Sequence, residues 1–450
     1  MENILSYLEK STMIVSNVVW PIFIPFLLLV GIYICAQVIL NIRSLTTIKS
    51  KLNLKYIVPQ SSVALGAMMG TGTIIGFLSA LSNLAISGQI YVEAVAMWAL
   101  LGSIVLIPIS YCESLIAKVV GMEPKDYIKS FVSKSASKTY IVAIILLYVF
   151  AIGGVQFSGI EAIMITTLNK VFNIELNEMQ RYLYIVIPLI GIITIIVLKN
   201  RQDIFIKSMI GMILVAVVIY FIFFGLFATK TSHYIPIFIE RVMIGFKNPI
   251  SMILGIPLGL IFGMQRVIQI AEPGLGTLAL ASMKSDSSPR VAGTISLILT
   301  TTLVVVSIVV TSYIASYGLN AGIITFSEVG VQRLVSYFET VISVTGGFGF
   351  TILFIFIILS GMTTLLGSYI LLNNLIERET YKKNIMYISL LIVAGALAIF
   401  KFDVLFNLLN ILLFIATSLN ITALAMFTEF EWSKYKINCY SSKNTRKKIA

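Results

Sequence analysis

Apolar stretches of about 20 residues recur along almost the whole chain, the length a helix needs to cross the hydrocarbon layer of a bilayer. Only helices and closed barrels satisfy their backbone hydrogen bonds there. The chain has 450 residues, of which 58% are hydrophobic and only 12% are charged. We therefore expect a single all-α polytopic membrane domain with eleven spans. The expected spans lie near 18–41, 59–83, 91–118, 139–168, 182–199, 204–229, 248–272, 291–317, 347–376, 385–400 and 403–428.

Basic residues are distributed unevenly among the loops between these spans. The chain has 32 Lys and Arg against 20 Asp and Glu, and most of the basic residues fall in alternate loops and in the C-terminal tail. Because loops rich in Lys and Arg face the cytoplasm, the N-terminus is predicted outside and the C-terminus inside. Residues 1–17 lack a cleavage site and are expected to be a short retained tail. We expect a monomer in the plasma membrane of a bacterium and no nucleic-acid partner.

Few side chains have the chemistry of an enzyme. His233 is the single histidine, and Cys35, Cys112 and Cys439 are far apart in the sequence. One histidine forms neither a zinc site nor a Cys–His pair. We therefore expect no catalytic activity and no resident cofactor.

Two apolar segments are rich in glycine, a poor helix former. They are 66-GAMMGTGTIIGF-77 and 255-GIPLGLIFG-263, and Pro257 in the second removes a helix hydrogen bond. With the first span set aside, they occupy positions one and six of a 5+5 arrangement, where interrupted helices indicate a binding site at mid-membrane. The alternative is that the small residues allow close helix packing. Both interpretations stay open on this pattern alone.

Several segments resemble the alanine/glycine:cation symporter family, in the order that the family has them. The segment 65-LGAMMGTGTIIGFLSAL-81 is similar to the family signature GtvGtGNiaGVatAi, and 97-MWALLGSIVLIPISYCESLIAKV-119 is similar to WMW…kyaEalLavky. The segments 265-QRVIQIAEPGLGTLALAS-282 and 363-TTLLGSY-369 match kRGlFSNEAGlGSapiA and STILGWY in part. The resemblance implies a LeuT-like 5+5 inverted repeat with one extra N-terminal transmembrane helix. It also implies Na⁺-driven uptake of a small neutral amino acid.

The resemblance divides the chain into four parts. Residues 1–58 would hold the extra helix and a cytoplasmic loop, 59–229 the first repeat, 230–428 the second repeat, and 429–450 a basic cytoplasmic tail. The chain also departs from the family: the signature Asn is Thr73, and the aromatic residue of the eighth core helix is Ser368. We therefore expect a substrate side chain larger or more polar than that of alanine.

The family's Na⁺ site would lie between core helices one and eight. Ser360, Thr363 and Thr364 have the required spacing on one helical face, and the carbonyls of Gly66 and Met69 would lie opposite. Alternatively, these hydroxyls bond to the backbone of their own helix.

The substrate would lie across the two interruptions. N–H groups near Gly70, Thr71 and Gly72 would bind a carboxylate, and carbonyls from Gly255 to Gly259 would bind an ammonium group. Candidate side-chain contacts are Thr73, Gln156, Thr364 and Ser368. For Gln156, the alternative is a hydrogen bond to a neighbouring helix.

Charged residues inside a membrane are functional candidates by default. Arg266 and Glu272, with Glu113 as a further partner, are predicted to form a gate; snorkelling to the interface is the alternative for Arg266. If H⁺ replaces Na⁺, Glu161 or Glu272 would carry it. A substrate-sensing protein that has lost transport is a further alternative. A short amphipathic helix is expected at 328–341.

Overall fold

A computed structural model gives the architecture of most of the chain. The described residues are 2–45, 56–58, 60–61, 64, 70–199, 202–248, 251–325, 330–376 and 379–432. The α-helices are α1 (Glu2–Leu45), α2 (Thr71–Ile86), α3 (Ala94–Val120), α4 (Pro124–Phe131), α5 (Lys134–Ile145), α6 (Gly153–Phe172), α7 (Glu178–Arg181), α8 (Ile187–Leu198), α9 (Gln202–Lys230), α10 (Ile235–Lys247), α11 (Leu258–Ala271), α12 (Thr277–Met283), α13 (Pro289–Asn320), α14 (Gln332–Leu375), α15 (Thr380–Phe400) and α16 (Phe402–Met426).

Short elements lie between or at the ends of these helices. Wide π-type turns at Leu146–Ile152, Tyr182–Val186 and Phe427–Glu431 continue helices without a break, and a 3₁₀ turn forms at Ser232–Tyr234. Strands β1 (Met252–Ile253) and β2 (Ile256–Pro257) form a small antiparallel hairpin, in which Ile253 pairs with Ile256.

Within the described part of the chain, nine helical stretches are long and apolar enough to span a membrane, which confirms a multi-pass membrane protein. Two further apolar helices, α2 and α11, are shorter and occupy the positions of the two glycine-rich segments. The total of eleven spans and the division into two inverted repeats stay predictions. The nine stretches are Tyr7–Asn41, Ala94–Val120, Lys134–Phe172, Glu178–Leu198, Met209–Lys230, Pro289–Asn320, Gln332–Leu375, Thr380–Phe400 and Phe402–Phe430.

Helix α1 extends further than its predicted span 18–41. It begins at Glu2, so the expected N-terminal tail is helical. It packs mainly on α16 and α3, outside the group of helices that surrounds the candidate site. This packing brings Cys35 within 3.8 Å of Cys112 (Sγ to Sγ), although the two are distant in sequence and remain free thiols.

The backbone is interrupted at two places inside apolar sequence. Helix α2 begins at Thr71, in the middle of the predicted span 59–83, after an extended Gly70 (φ −169°, ψ −176°). A second interruption separates α11 from α12, where Glu272, Gly274 and Gly276 have φ values of 54°, 79° and 102°. Glycine adopts this left-handed region without steric cost. The segment 272–276 therefore ends one helix and redirects the next.

The interruption predicted at 255–263 is misplaced by more than two helical turns. Pro257 stands directly before α11, where its missing N–H costs no helix hydrogen bond. Gly255 lies in the hairpin turn with φ 78°. Gly263 serves close packing instead, because a Cβ there would lie 2.7 Å from the backbone nitrogen of Ala99 in α3.

The helix expected at 328–341 forms the first part of α14. It begins at Gln332, and residues 326–329 lie outside the described residues. At Gly346 the backbone leaves helical geometry (φ 65°, ψ −167°), so the segment before it meets the rest of α14 at a kink.

Candidate functional site

The start of α2 is held by a glutamine from another helix. Gln156 Oε1, on α6, accepts hydrogen bonds from the Thr71 backbone N–H (3.1 Å) and from Thr71 Oγ1 (3.0 Å). Both residues are buried, with exposed fractions of 2% and 0%. Gly70 makes this approach possible, because a Cβ there would lie 2.5 Å from Gln156 Oε1. Gln156 therefore bonds to a neighbouring helix, which was one of its two interpretations.

This contact involves the N–H groups at the start of α2, where the sequence predicted a carboxylate site. The free N–H groups of a helix start attract anions. The Thr71 N–H is already occupied by Gln156, so in this conformation it is not available to a ligand. The structure places Gly70, Thr71, Gly72 and Gln156 side by side, and their role in binding a substrate stays a prediction.

A second buried amide contacts α2 at the next residue, Gly72, and at Gly76. Gln269 Nε2, on α11, donates to the Gly72 carbonyl at 3.4 Å. A Cβ on Gly76 would lie 2.6 Å from Gln269 Oε1, so glycine is needed for this contact. Arg266 Nη1 donates to Gln269 Oε1 (2.5 Å) and to Asn410 Oδ1 of α16 (3.3 Å).

These four side chains, Gln156, Gln269, Arg266 and Asn410, are here called the amide–arginine cluster. Their exposed fractions are between 1% and 8%. Gln156 of α6 and Gln269 of α11 bond to the start of α2, and Arg266 connects Gln269 to Asn410 of α16. Buried polar groups are costly in a membrane unless they have a function or full partners. The cluster is therefore the candidate binding site.

A cavity of about 230 Å³ lies on another side of the same helix start. Gly70 and Thr73 line it, but the Thr73 hydroxyl donates back to the Gly70 carbonyl at 2.8 Å. Phe221 and Ile298 at its border are about half exposed, so the cavity opens sideways between α9 and α13. The other apolar side chains of its lining are Ile57, Val217, Ile295, Leu299, Leu303, Val306 and Phe356.

The three predicted Na⁺-binding hydroxyls lie buried on α14. Thr363 and Thr364 both donate to the Ser360 carbonyl, at 2.9 and 3.0 Å, and Ser360 donates to its own helix at 3.2 Å. A Cβ on the adjacent Gly361 would lie 3.9 Å from Gln156 Oε1, so this turn of α14 lies beside the cluster. Gly66 and Met69, the predicted carbonyl ligands, lie outside the described residues.

Three other predicted contacts lie away from the cluster. Ser368 donates to the Leu365 carbonyl at 2.7 Å and neighbours Tyr387 of α15. Gly255 is in the exposed hairpin turn, and Gly259 packs beneath Trp98 of α3. Because α11 starts only at Leu258 and continues unbroken to Ala271, the carbonyls from Gly255 to Gly259 do not form a mid-membrane helix end.

The predicted gate residues are not joined to one another in this conformation. Glu113 Oε1 accepts the Ala279 backbone N–H at 3.1 Å, and Glu272 Oε2 accepts the Thr277 hydroxyl at 2.6 Å. Neither carboxylate lies within 4 Å of a described Lys or Arg side chain, and Arg266 lies with the amides instead. Both carboxylates flank the interruption between α11 and α12.

Two other buried carboxylates do have basic partners. Glu161 Oε1 pairs with Arg181 Nη1 at 3.4 Å, and Glu93 Oε1 pairs with Arg241 Nη1 at 3.2 Å. Glu93 also accepts the Ser316 hydroxyl at 2.7 Å. The first pair joins α6 to α7, and the second joins the start of α3 to α10.

Gln269 and Asn410 are the site residues that the sequence reasoning missed. Each is an amide within a largely apolar helix, the same signal that identified Gln156, although α11 also holds Gln265 and α16 also holds Asn407 and Asn420. The sequence predicted the interruption at 255–263. Gln269 lies just before the observed interruption at 272–276 and was therefore not predicted as a site residue.

Solved structures of transporters have a similar fold. A mutant of the Eremococcus coleocola manganese transporter matches with a TM-score of 0.54 and 13% identity, over 84% of this chain and 81% of that chain. A second mutant of it matches at 0.53 and 14%, over 82% and 78%. A Na⁺-coupled sialic acid symporter matches at 0.49 and 12%, over 93% and 87%. No protein-family model and no curated protein sequence matches the chain.

The manganese transporter and this chain therefore share an overall fold. At such low identity the likeness extends to the fold alone. Together with the spanning helices, it defines a multi-pass membrane protein with the fold of a transporter.

Proposed function

We propose that the chain is a secondary transporter that takes up a small amino acid together with a cation. The observation that carries this proposal is the start of α2 directly after Gly70, inside apolar sequence, against the buried amide–arginine cluster. A helix that starts in mid-membrane beside polar side chains is a typical arrangement for solute binding in transporters. The fold shared with a manganese transporter supports the same class.

The resemblance to the alanine/glycine:cation symporters supports an amino acid as the solute. A zwitterion needs an acceptor for its ammonium group and a donor for its carboxylate. The cluster offers amide oxygens, amide N–H groups and one guanidinium within a few side chains of each other. Movement between two conformations would expose this cluster to each side in turn.

Sodium is the proposed coupling ion. Ser360, Thr363 and Thr364 present three hydroxyl oxygens on one buried turn, next to the Gln156 side of the cluster. Each hydroxyl donates its hydrogen to the helix backbone, and a hydroxyl oxygen is of the hard type that coordinates Na⁺.

A proton is the alternative coupling ion, and one observation favours it. Glu113 and Glu272 are almost fully buried, at 0% and 1% exposure, and no described basic side chain is within 4 Å of either. An ionised carboxylate is costly there, so such groups hold a proton while buried. Exposure to water on one side of the membrane would release it.

Uptake into proteoliposomes distinguishes these possibilities. A mixture of labelled amino acids is offered under an inward Na⁺ gradient, an inward pH gradient, or neither. We expect concentrative uptake of at least one amino acid with the Na⁺ gradient, and its loss in Thr364→Ala. Thr351→Ala is the matched control, because Thr351 is an exposed threonine of the same helix that bonds to its own backbone.

Two other outcomes would indicate proton coupling or a protein that does not transport. Uptake that follows only the pH gradient, and that fails in Glu272→Gln but not in the exposed Glu240→Gln, would assign coupling to the carboxylates. The absence of any uptake, with ligands still raising the melting temperature, would contradict transport and leave a sensing protein.

A further inference from the structure

Arg266 is a charged side chain enclosed by neutral groups. It is 1% exposed, and its described hydrogen-bond partners are the amide oxygens of Gln269 and Asn410. The guanidinium carbon also lies 5.0 Å from the centre of the Phe406 ring. Both hydrogen bonds come from Nη1, and Nε is buried without a partner among the described residues.

No carboxylate among the described residues balances this charge. Glu93 and Glu161 pair with other arginines, and Glu113 and Glu272 bond to the chain around the second interruption. A guanidinium stays protonated in proteins, and a buried charge without a counter-ion is strongly destabilising.

The Nε–H of Arg266 is the part of the guanidinium that is buried without a partner among the described residues. Nε–H and the neighbouring Nη2–H point in parallel and bind the two oxygens of a carboxylate together. Nη1 is already directed to the amides, which fixes the orientation of the group. The amide–arginine cluster thus offers hydrogen-bond donors on the guanidinium, and among the described residues no anion accepts from them.

Its position links it to the start of α2. Gln269, which accepts from Arg266, also donates to the Gly72 carbonyl. The nearby Thr71 N–H is held by Gln156. An anionic ligand beside α2 therefore finds the Thr71 N–H already bonded, whereas the Nε–H of Arg266 has no partner among the described residues.

We propose that Arg266 binds the carboxylate of the transported solute, with Gln269 and Asn410 holding the guanidinium in place. This inference rests on the proposed transport function, and it assigns the carboxylate to a side chain where the sequence predicted backbone N–H groups. It also restricts the solutes to those that carry a carboxylate. An inorganic anion such as chloride shares this chemistry, so the experiment includes it.

The test uses the full-length protein purified in detergent and follows its melting temperature. Single amino acids are compared with their carboxamides and with the amines that lack the carboxyl group, first in sodium methanesulfonate, which carries no carboxylate, and then in sodium chloride. We expect at least one amino acid to raise the melting temperature in methanesulfonate, and its amide and amine to have no effect. In Arg266→Gln we expect the affinity to fall by at least about 30-fold.

The unliganded melting temperature separates binding from a structural role. Removing an unbalanced charge does not destabilise the fold, so Arg266→Gln should melt at or above the wild-type temperature without ligand. Arg241→Gln is the control, because Arg241 is paired with Glu93; it should lose stability and keep the ligand response. If Arg266→Gln does not fold, Arg266→Lys and the carboxamide comparison on the wild type still decide.

Three results would overturn the assignment. The first is an equal response to an amino acid and its carboxamide. The second is an Arg266-dependent response to chloride alone that adding an amino acid does not increase. The third is an unchanged affinity in Arg266→Gln while uptake continues, which would leave transport standing. Arg266-dependent binding of amino acids without uptake would instead reject transport and keep the binding site.

Discussion

The contact between Gly70 and Gln156 gives the sharpest test of how the site is built. Replacing Gly70 by Ala would put a Cβ 2.5 Å from Gln156 Oε1 and 2.6 Å from Nε2. The backbone of Gly70 is extended (φ −169°), a conformation that alanine adopts freely, so the collision is the whole effect. Gln156 must move away and release Thr71.

The size of the effect follows from the bonds that are lost. The hydrogen bond from the Thr71 N–H to Gln156 is lost, at roughly 0.6–1.7 kcal/mol in membrane proteins. The Thr71 hydroxyl keeps an acceptor, the Val155 carbonyl, at 3.1 Å. The Thr71 N–H is left buried and unpaired, at roughly 1–3 kcal/mol. We expect Gly70→Ala to destabilise the protein by about 3 kcal/mol.

A double-mutant cycle in detergent measures this coupling. Equilibrium unfolding is followed for Gly70→Ala, Gln156→Ala and the double variant. Gln156→Ala already removes this bond and makes room for the Cβ, so adding Gly70→Ala should then cost little. Gly225→Ala is the control, because a Cβ there meets no other described group within 4 Å. Strictly additive losses, or a Gly70→Ala variant as stable as the control, would refute this reasoning.

Three further variants test other parts of the structure. Gly263→Ala should fail to yield folded protein, because its Cβ would meet the backbone of Ala99 and not a movable side chain; normal size-exclusion behaviour would contradict this. Glu93→Gln should lower the melting temperature, because it removes the partner of Arg241. The loss of stability should be about 1–3 kcal/mol, since Arg241 is partly exposed. An unchanged melting temperature would show that the pair is not stabilising. Thr364→Ala should raise the Na⁺ concentration for half-maximal uptake by about 10-fold or more, equivalent to losing roughly 1.4 kcal/mol of ion binding; an unchanged Na⁺ dependence would remove this residue from the ion site.

The overall organisation could be predicted from the sequence because it depends on length and composition. Apolar runs of about 20 residues have few alternatives to spanning helices. The interruption at Gly70 was also predictable, because glycine is common in that segment. The start of α2 at Thr71 needs no capping side chain of its own, because Gln156 of α6 accepts the Thr71 N–H.

The second interruption could not be placed correctly from glycine content. Gly263 is a packing residue, and Gly274 and Gly276 are conformational residues, but the sequence alone does not distinguish the two uses. The choice depends on α3, which packs against α11 closely enough to exclude a side chain at Gly263. Such contacts between distant segments become visible only in three dimensions.

The partners of Arg266 were likewise beyond the sequence. Glu272 lies six residues away and suggested an ion pair, yet Glu272 stands past the end of α11, where it bonds to Thr277. Asn410 comes from the last long helix, and no local pattern connects it to Arg266.

The central claim is that the chain moves a solute across the membrane together with a cation. Current recorded from proteoliposomes adsorbed on a solid-supported membrane tests it most directly. Adding a zwitterionic amino acid should produce a saturable positive charge displacement into the vesicles that requires Na⁺, or a pH gradient if the carboxylates carry the coupling ion. A charge displacement absent under every gradient, from protein that the same amino acid still stabilises, would contradict coupled transport.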